Sequence, residues 1–291
     1  MNIILHGLNV QSEFKSHVEQ LVKIFRGHDI QLFLTPMCLK SMNKTGFNGF
    51  GLQAIRSKEE LEEIDFAISI GGDGTLLDTV CYIGPYEIPV VGINTGRMGF
   101  LATIAKEDIE WAAKDLINNN FSLEDRSLVR LESSPPLFEG LNFGLNEFTI
   151  HKRDTSSMIT VHTYINNEYL NSYWADGLIV STPTGSTGYS LSCGGPLISP
   201  SAKNFVITPV SPHNLNVRPM VVSDESEISF KIEGRSEKFL VSLDSRSTAI
   251  DASVDLKLKK EKFVAKLVKF QNYSFFDTLR QKLNWGYDMR N

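Results

Sequence analysis

The chain has 291 residues, 42% of them hydrophobic, and a net charge of −5 at pH 7. It is long enough for two domains with their own cores, and its acidic balance argues against a surface built for nucleic acid or anionic lipid. Cys38, Cys81 and Cys193 are too widely spaced to chelate zinc or form a redox pair, which fits a reducing, cytoplasmic setting and small-molecule chemistry.

Asn2 to His6 reads as a strand with no basic leader before it, and no later apolar run is long enough to span a bilayer. Neither export nor a membrane anchor is therefore expected. Ser12 to Phe25 reads as a helix, because Phe14, Val18, Leu21, Val22 and Phe25 form one stripe at helical spacing. Gln31 to Leu34 is extended again and leads into a loop rich in Gly and Asn. Within it, Met42 to Gly51 has no periodicity and suits an exposed connection. Ser57 to Glu63 looks like a capped acidic helix, Asp65 to Ile70 a buried strand ending at a glycine pair, and Pro89 to Ile93 a further apolar strand. This alternation predicts an α/β domain over residues 1–125, with an open, Rossmann-like parallel sheet covered by helices. From Arg126 onward β-branched residues, short alternating runs and turn residues dominate, which predicts an all-β domain over 126–270. Lys257 to Lys269 reads as a solvated hairpin inside it. Phe275, Phe276, Leu279 and Leu283 recur at helical spacing, so the segment 271–291 is expected to return a final helix to the first domain.

The sharpest local signal is Gly71-Gly72-Asp73-Gly74-Thr75, between an apolar strand and a helix starting near Thr75. Glycines let backbone amides approach an anion closely, and the following helix adds its positive N-terminal end. Asp73 can accept a proton or orient a hydroxyl. The pentapeptide alone fits equally well a tight turn in which Asp73 caps the helix. It lacks the Lys-Ser/Thr ending of a Walker loop and the spacing of a dinucleotide fingerprint, which argues against a P-loop ATPase and an ordinary dehydrogenase. GGDGT resembles the signature shared by NAD kinases, diacylglycerol and sphingosine kinases and, more loosely, phosphofructokinases.

A second cluster separates these. Asp176-Gly177-Leu178-Ile179-Val180-Ser181-Thr182-Pro183-Thr184-Gly185-Ser186-Thr187-Gly188-Tyr189-Ser190 packs a carboxylate, hydroxyls and glycines beside a tyrosine ring, which suits a ligand with polar edges and a flat base. It is similar to the NAD kinase pattern DGxxxSTPTGSTAYS. The resemblance continues through Leu191, Ser192, Gly194-Gly195-Pro196, Ser211-Pro212-His213 and Arg218-Pro219. Upstream, Gly92 to Gly96, Gly99-Phe100-Leu101 and Leu145-Asn146-Glu147 resemble that family's other motifs in the family's order.

The resemblance implies an enzyme that phosphorylates NAD with ATP, magnesium arriving on the nucleotide, and a homo-oligomer, dimer or tetramer. It implies that Asp73 is the catalytic base and that Asp73 and Gly74 sit at the phosphoryl-transfer centre. Asn146 and Glu147 would hold ribose or adenine, Asp176 the nicotinamide end or its ribose, and Thr187, Gly188, Tyr189, Ser190, Leu191 and Ser192 would line the dinucleotide pocket. Trp174, two positions before Asp176, would border the nicotinamide end; an isolated tryptophan also fits a core position. Gly188 stands where the family commonly has alanine, and Asp244-Ser245-Arg246 where it has Asp-Gly-Gln, so Arg246 and His213 are not counted as ligand contacts. A lipid kinase would share Gly71 to Thr75 but needs an apolar cleft that the polar 176–192 cluster does not suit. A non-catalytic NADP sensor would dispense with Asp73.

Overall fold

In the computed structural model, which describes residues 1–153, 157–235, 237–271 and 273–286, strand β1 (Asn2–His6) opens the chain with Ile3, Ile4 and Leu5 fully buried. Helix α1 (Lys15–Arg26) forms because Val18, Leu21, Val22 and Phe25 put one apolar face into the core that also holds Ile3 and Leu5. Each such side chain contributes about 1.5–3 kcal/mol, so an acidic residue at Leu21 would undo the element. Strand β2 (Gln31–Leu34) runs straight into helix α2 (Pro36–Lys44), whereas the sequence pattern predicts a loop there. Thr35 starts this helix by accepting from Cys38 N at 3.2 Å, and Pro36 takes the first helical position, where no N–H is needed. Met42 to Lys44 therefore end a helix, and Asn48–Gly51 form a 3-10 turn before strand β3 (Gln53–Ala54). The acidic segment is a 3-10 turn over Glu59–Glu63, where Glu60 accepts from the backbone N–H groups of Arg56 and Ser57.

Strand β4 (Phe66–Ile70), helix α3 (Asp73–Ile83) and strand β5 (Val90–Ile93) follow, then helix α4 (Ile109–Ile117) and strand β6 (Phe121–Arg126). β1 pairs in parallel with β2 and β4, and β4 with β5, in the order β3-β2-β1-β4-β5. The chain winds outward one way through β2 and β3 and the other way through β5, so the direction reverses between β1 and β4. Open α/β sheets bind ligands beyond the carboxyl ends of the strands at such a reversal. Here those ends are His6 and Ile70, and Gly71 to Thr75 follows the second.

Residues Asp125–Val264 form a separate unit. Its strands are β7 (Val129–Ser134), β8 (Phe143–Gly144), β9 (Glu147–Lys152), β10 (Ile159–Ile165), β11 (Glu168–Ala175) and β12 (Gly177–Ser181). After a short helix α5 (Tyr189–Ser192) come β13 (Asn204–Val210), β14 (Met220–Ser223), β15 (Ile228–Glu233), β16 (Phe239–Leu243), β17 (Arg246–Ile250) and β18 (Asp255–Lys260). Two antiparallel sheets result, ordered β11-β10-β15-β18-β7-β8 and β14-β13-β12-β9-β16-β17. Alternate residues from both, among them Phe148, Ile150, Val161, Leu178, Phe230 and Val241, share one core.

The last strand, β19 (Ala265–Phe270), joins the first sheet between β5 and β6, its Leu267 opposite Val90 in parallel. The hairpin expected over Lys257 to Lys269 does not exist. β18 already has β15 and β7 on its two edges, which leaves no edge for the next strand. Residues 265–270, expected in the second domain, thus belong to the first unit, Met1–Glu124 with Ala265–Asn291. Helix α6 (Phe275–Leu283) packs on that unit: Leu279 is buried, Tyr273 donates to Asp108 Oδ2 at 2.8 Å, and Lys282 Nζ donates to Met98 O at 2.6 Å. Phe276, part of the expected apolar stripe, is 60% exposed. Residues 272 and 287–291 of the expected C-terminal segment lie outside the described residues. No helix among the described residues is long and apolar enough to cross a membrane.

Candidate active site

In the first unit Asp73 is the opening residue of α3, immediately after the glycine pair. Its carboxylate is turned onto the loop that follows β5: Oδ2 accepts from Phe100 N at 2.8 Å, and Oδ1 accepts from Leu101 N at 3.0 Å and Ala102 N at 2.9 Å. Gly99 makes this possible, since a Cβ there would lie 1.8 Å from Asp73 Oδ1. Buried Asn94 ties the same loop from the other side, its Oδ1 accepting from Gly96 N and its Nδ2 donating to Ala102 O. Three of the carboxylate's roughly four lone-pair positions are therefore used, and one on Oδ2 remains. A Cβ at Gly72 or Gly74 would meet no atom within 4 Å, so packing within the fold does not require glycine at either position. Both sit where an anion would approach the helix N-terminus.

Behind the turn, His6 ends β1 opposite Ser69 of β4. Its Nδ1 meets Thr35 Oγ1 at 3.1 Å, while Nε2 has no partner among the described residues. Burial, helped by the charge of Lys58, pushes His6 down to about 4, so the ring is neutral at pH 7.

The second unit builds its cluster on one face of a sheet. Glu147 opens β9 opposite Ser181, the last residue of β12, and Phe148 and Ile150 point into the core, which leaves Glu147, Thr149 and His151 on the outer face. The chain leaving β12 folds back over that face. Thr182 N donates to Asn146 O at 2.9 Å and Thr182 Oγ1 to Leu145 O at 2.5 Å. Gly185 packs so closely that a Cβ would lie 2.0 Å from Asn146 O. Ser190 is fully buried with its Oγ 2.8 Å from Thr208 Oγ1, a contact that ties α5 to β13. Thr187 Oγ1 donates to Thr184 O at 3.1 Å. Leu191 is half-buried and Ser192 exposed. Tyr189 is exposed and stacks on His151, ring centroids 5.5 Å apart.

Asn146 Oδ1 and Glu147 Oε2 are buried atoms with no partner among the described residues. Gly188 is beside both: a Cβ there would lie 2.9 Å from Glu147 Oε2 and 3.5 Å from Asn146 Nδ2. The alanine common in this position would press on the glutamate. Burial first, then the facing Asp244 carboxylate, raises Glu147 to about 8, against a backbone N–H from Tyr189. Asp244 is also raised by burial, but three backbone N–H groups and Arg246 oppose this. The two facing carboxyls thus each resist ionisation, and a second negative charge on the pair is disfavoured.

Asp176 lies at the other end of β12, about 17 Å along the strand from Ser181 at ~3.4 Å per residue. Lys152 Nζ pairs with its Oδ1 at 2.6 Å. No sequence signal announced this pair, because the strand register makes it. Trp174 is 49% exposed on β11, with its ring 4.2 Å from that of His213. It is not a core residue, and His213 braces it. Arg246 donates to Leu141 O and Phe143 O.

Residues 145–270 match the ATP-NAD kinase C-terminal domain, and residues 33–121 the ATP-NAD kinase N-terminal domain. The NAD kinase of Cytophaga hutchinsonii is 50% identical over 293 residues, covering 100% of both chains. That of Flavobacterium johnsoniae is 43% identical over 298 residues with the same coverage. Among solved structures, yeast NADH kinase complexed with NADH shares the fold with a TM-score of 0.85 at 19% identity, over 99% of this chain and 89% of that one. An NAD kinase from Archaeoglobus fulgidus in complex with ATP gives a TM-score of 0.76 at 27% identity, over 98% and 99% of the two chains. Both domain matches in order, and identity of one half along the full length, establish that the chain belongs to the NAD kinase family.

Proposed function

We propose that this chain transfers the γ-phosphoryl group of ATP to the adenosine 2′-hydroxyl of NAD, giving NADP and ADP. The observation that carries the dinucleotide assignment is the pair of buried, unpartnered oxygens on Asn146 and Glu147. Ribose hydroxyls satisfy such a pair, because each can donate to one acceptor and accept from another group. Asp176, about one strand length away, takes the other end of the dinucleotide, and Tyr189 offers a ring face. Thr187, Gly188, Leu191 and Ser192 complete the pocket, with Trp174 at the nicotinamide end.

The turn around Gly72 and Gly74 takes phosphate through backbone N–H groups and the α3 N-terminus. As the 2′-oxygen bonds to the γ-phosphorus, the bond to the β,γ-bridging oxygen breaks, and Asp73 Oδ2 receives the hydroxyl proton. A general base supplies only about 10²–10⁴-fold, so positioning and charge neutralisation supply the rest. Among the described residues no three His, Cys, Asp or Glu side chains converge on a metal position. Magnesium in this reading is carried on the ATP phosphates, where it neutralises charge. We further propose a cytoplasmic homo-oligomer, dimer or tetramer, checked by light scattering and cell fractionation.

A coupled assay with NAD, NADH and diacylglycerol as acceptors tests the activity. Phosphorylation of NAD and none of the lipid is expected. Lipid phosphorylation, or none of NAD, overturns the reading.

A further inference from the structure

One two-residue turn holds the whole approach to β9. Asp244, between β16 and β17, accepts from three successive N–H groups: Leu145 N at 2.7 Å on Oδ2, Asn146 N at 2.8 Å and Glu147 N at 3.0 Å on Oδ1. Its own N–H donates to Glu147 O at 3.0 Å. Two positions on, the Arg246 guanidinium donates to Leu141 O and Phe143 O and lies 5.9 Å from the ring centroids of Phe138 and Phe143. The carbonyls before the Asn-Glu pair are thus gathered by the cation and the amides within it by the anion. Asp244 sits at φ +49°, a left-handed conformation that non-glycine residues keep only where their surroundings impose it. Gly144 leaves room for the carboxylate, since a Cβ there would lie 3.0 Å from its Oδ1.

We infer that Asp244 and Arg246 are positioning residues for the dinucleotide, acting through the backbone of residues 141–147 to aim Asn146 and Glu147. This rests on the reading that Asn146 and Glu147 hold NAD. A carboxylate is needed because one group must accept three N–H bonds at once; an amide would turn a donor toward at least one of them. A guanidinium is needed because its planar fork reaches two carbonyls together. Asp244 also sets the charge that Glu147 faces. Besides Asp244, the backbone N–H of Tyr189 on α5 bears on Glu147 and opposes the rise, while Arg246 on the same turn bears on Asp244.

The test is steady-state kinetics of the full chain for Asp244→Asn, Arg246→Gln, Arg246→Lys and Glu147→Gln, with KM for NAD and for ATP measured separately across pH. Asp244→Asn should raise KM for NAD about tenfold, equivalent to about 1.4 kcal/mol, and leave KM for ATP within about twofold. The step in KM for NAD that follows Glu147 ionisation, near pH 8 in the wild type, should move to lower pH, because the facing negative charge is gone. Arg246→Gln should show the same split between the two KM values, and Arg246→Lys should recover part of it. If Asp244→Asn does not fold, the two Arg246 variants decide. A lower melting temperature with KM for NAD and the pH step unmoved would make the turn merely structural and overturn the inference. Should Glu147→Gln shift KM for NAD while no turn variant does, the inference alone fails. Should Glu147→Gln itself leave KM for NAD unchanged, the underlying reading fails with it.

Discussion

Both units gather three successive backbone N–H groups on one aspartate, two on Oδ1 and one on Oδ2, but the two aspartates stand in different surroundings. Asp73 collects residues 100–102 from the head of a helix beside two exposed glycines, and one lone pair of its Oδ2 is left over. Asp244 collects residues 145–147 from inside a hairpin turn whose Arg246 stands over the same segment. The first carboxylate braces a loop at the head of a helix and keeps one acceptor position open. The second keeps the same Oδ2 position by that count, but it lies in the turn beside Glu147, away from any glycine turn at a helix head. The units also match in holding one inward group uncharged at pH 7, His6 in the first and Glu147 in the second, and in both burial is the main cause.

Replacing Asp73 should break the comparison most severely. Asp73→Asn is expected to lower kcat by about 10²–10⁴-fold while NAD binding, followed by calorimetry, stays measurable. A near-normal kcat would remove Asp73 from proton transfer and leave it a brace like Asp244. Gly99→Ala sharpens the point: it keeps the carboxylate but drives a methyl group into Oδ1, and misplacement alone should cost up to about 10²-fold in kcat.

The two neutral groups give opposite pH limbs in thermal stability. Glu147 is raised from 4.5 to about 8, so its contribution is complete below 4.5 and lost as pH rises through 8. His6 is lowered from 6.5 to about 4, so its contribution is complete above 6.5 and lost as pH falls through 4. Melting curves across pH should lose the alkaline limb in Glu147→Gln, worth up to about 5 kcal/mol, and the acid limb in His6→Gln, worth up to about 3 kcal/mol. Limbs unchanged by these substitutions would mean that other groups set them. In kinetics, Glu147→Gln should raise KM for NAD about tenfold and that for ATP much less. The reverse would exchange the two substrates between the clusters.

The smallest effect is expected at Trp174. Its exposed ring can favour a cationic nicotinamide over a neutral one by roughly 0.5–2 kcal/mol, a preference for NAD over NADH of no more than about thirtyfold. Initial rates with both acceptors in Trp174→Ala should bring the ratio toward unity. A ratio that does not move assigns the ring only to packing on His213.

Much of this architecture was legible because it is written in neighbours along the chain. The stripe from Phe14 to Phe25, the β4 run ending at Gly71, and the shift to short alternating strands after Arg126 each express a local period, and the α/β and antiparallel layers follow from them. Two helices went unread although their signals were local: Thr35-Pro36 opens α2, and Ile109, Ala112, Ala113 and Leu116 form the stripe of α4.

What the sequence determined by itself were the glycine turn between a strand and a helix, and the polar cluster after β12, since backbone freedom and hydrogen-bonding capacity are properties of the residues. Only the tertiary structure decided what these groups touch. The amides under Asp73 and Asp244 come from 27 and 97 or more positions away, Ser190 is taken by Thr208, Lys152 reaches Asp176 through β-strand register, and β19 joins the first sheet because β18 has no edge to offer. Such choices depend on which partner arrives at a given edge or face when the chain packs, and a local pattern of residues does not contain that information.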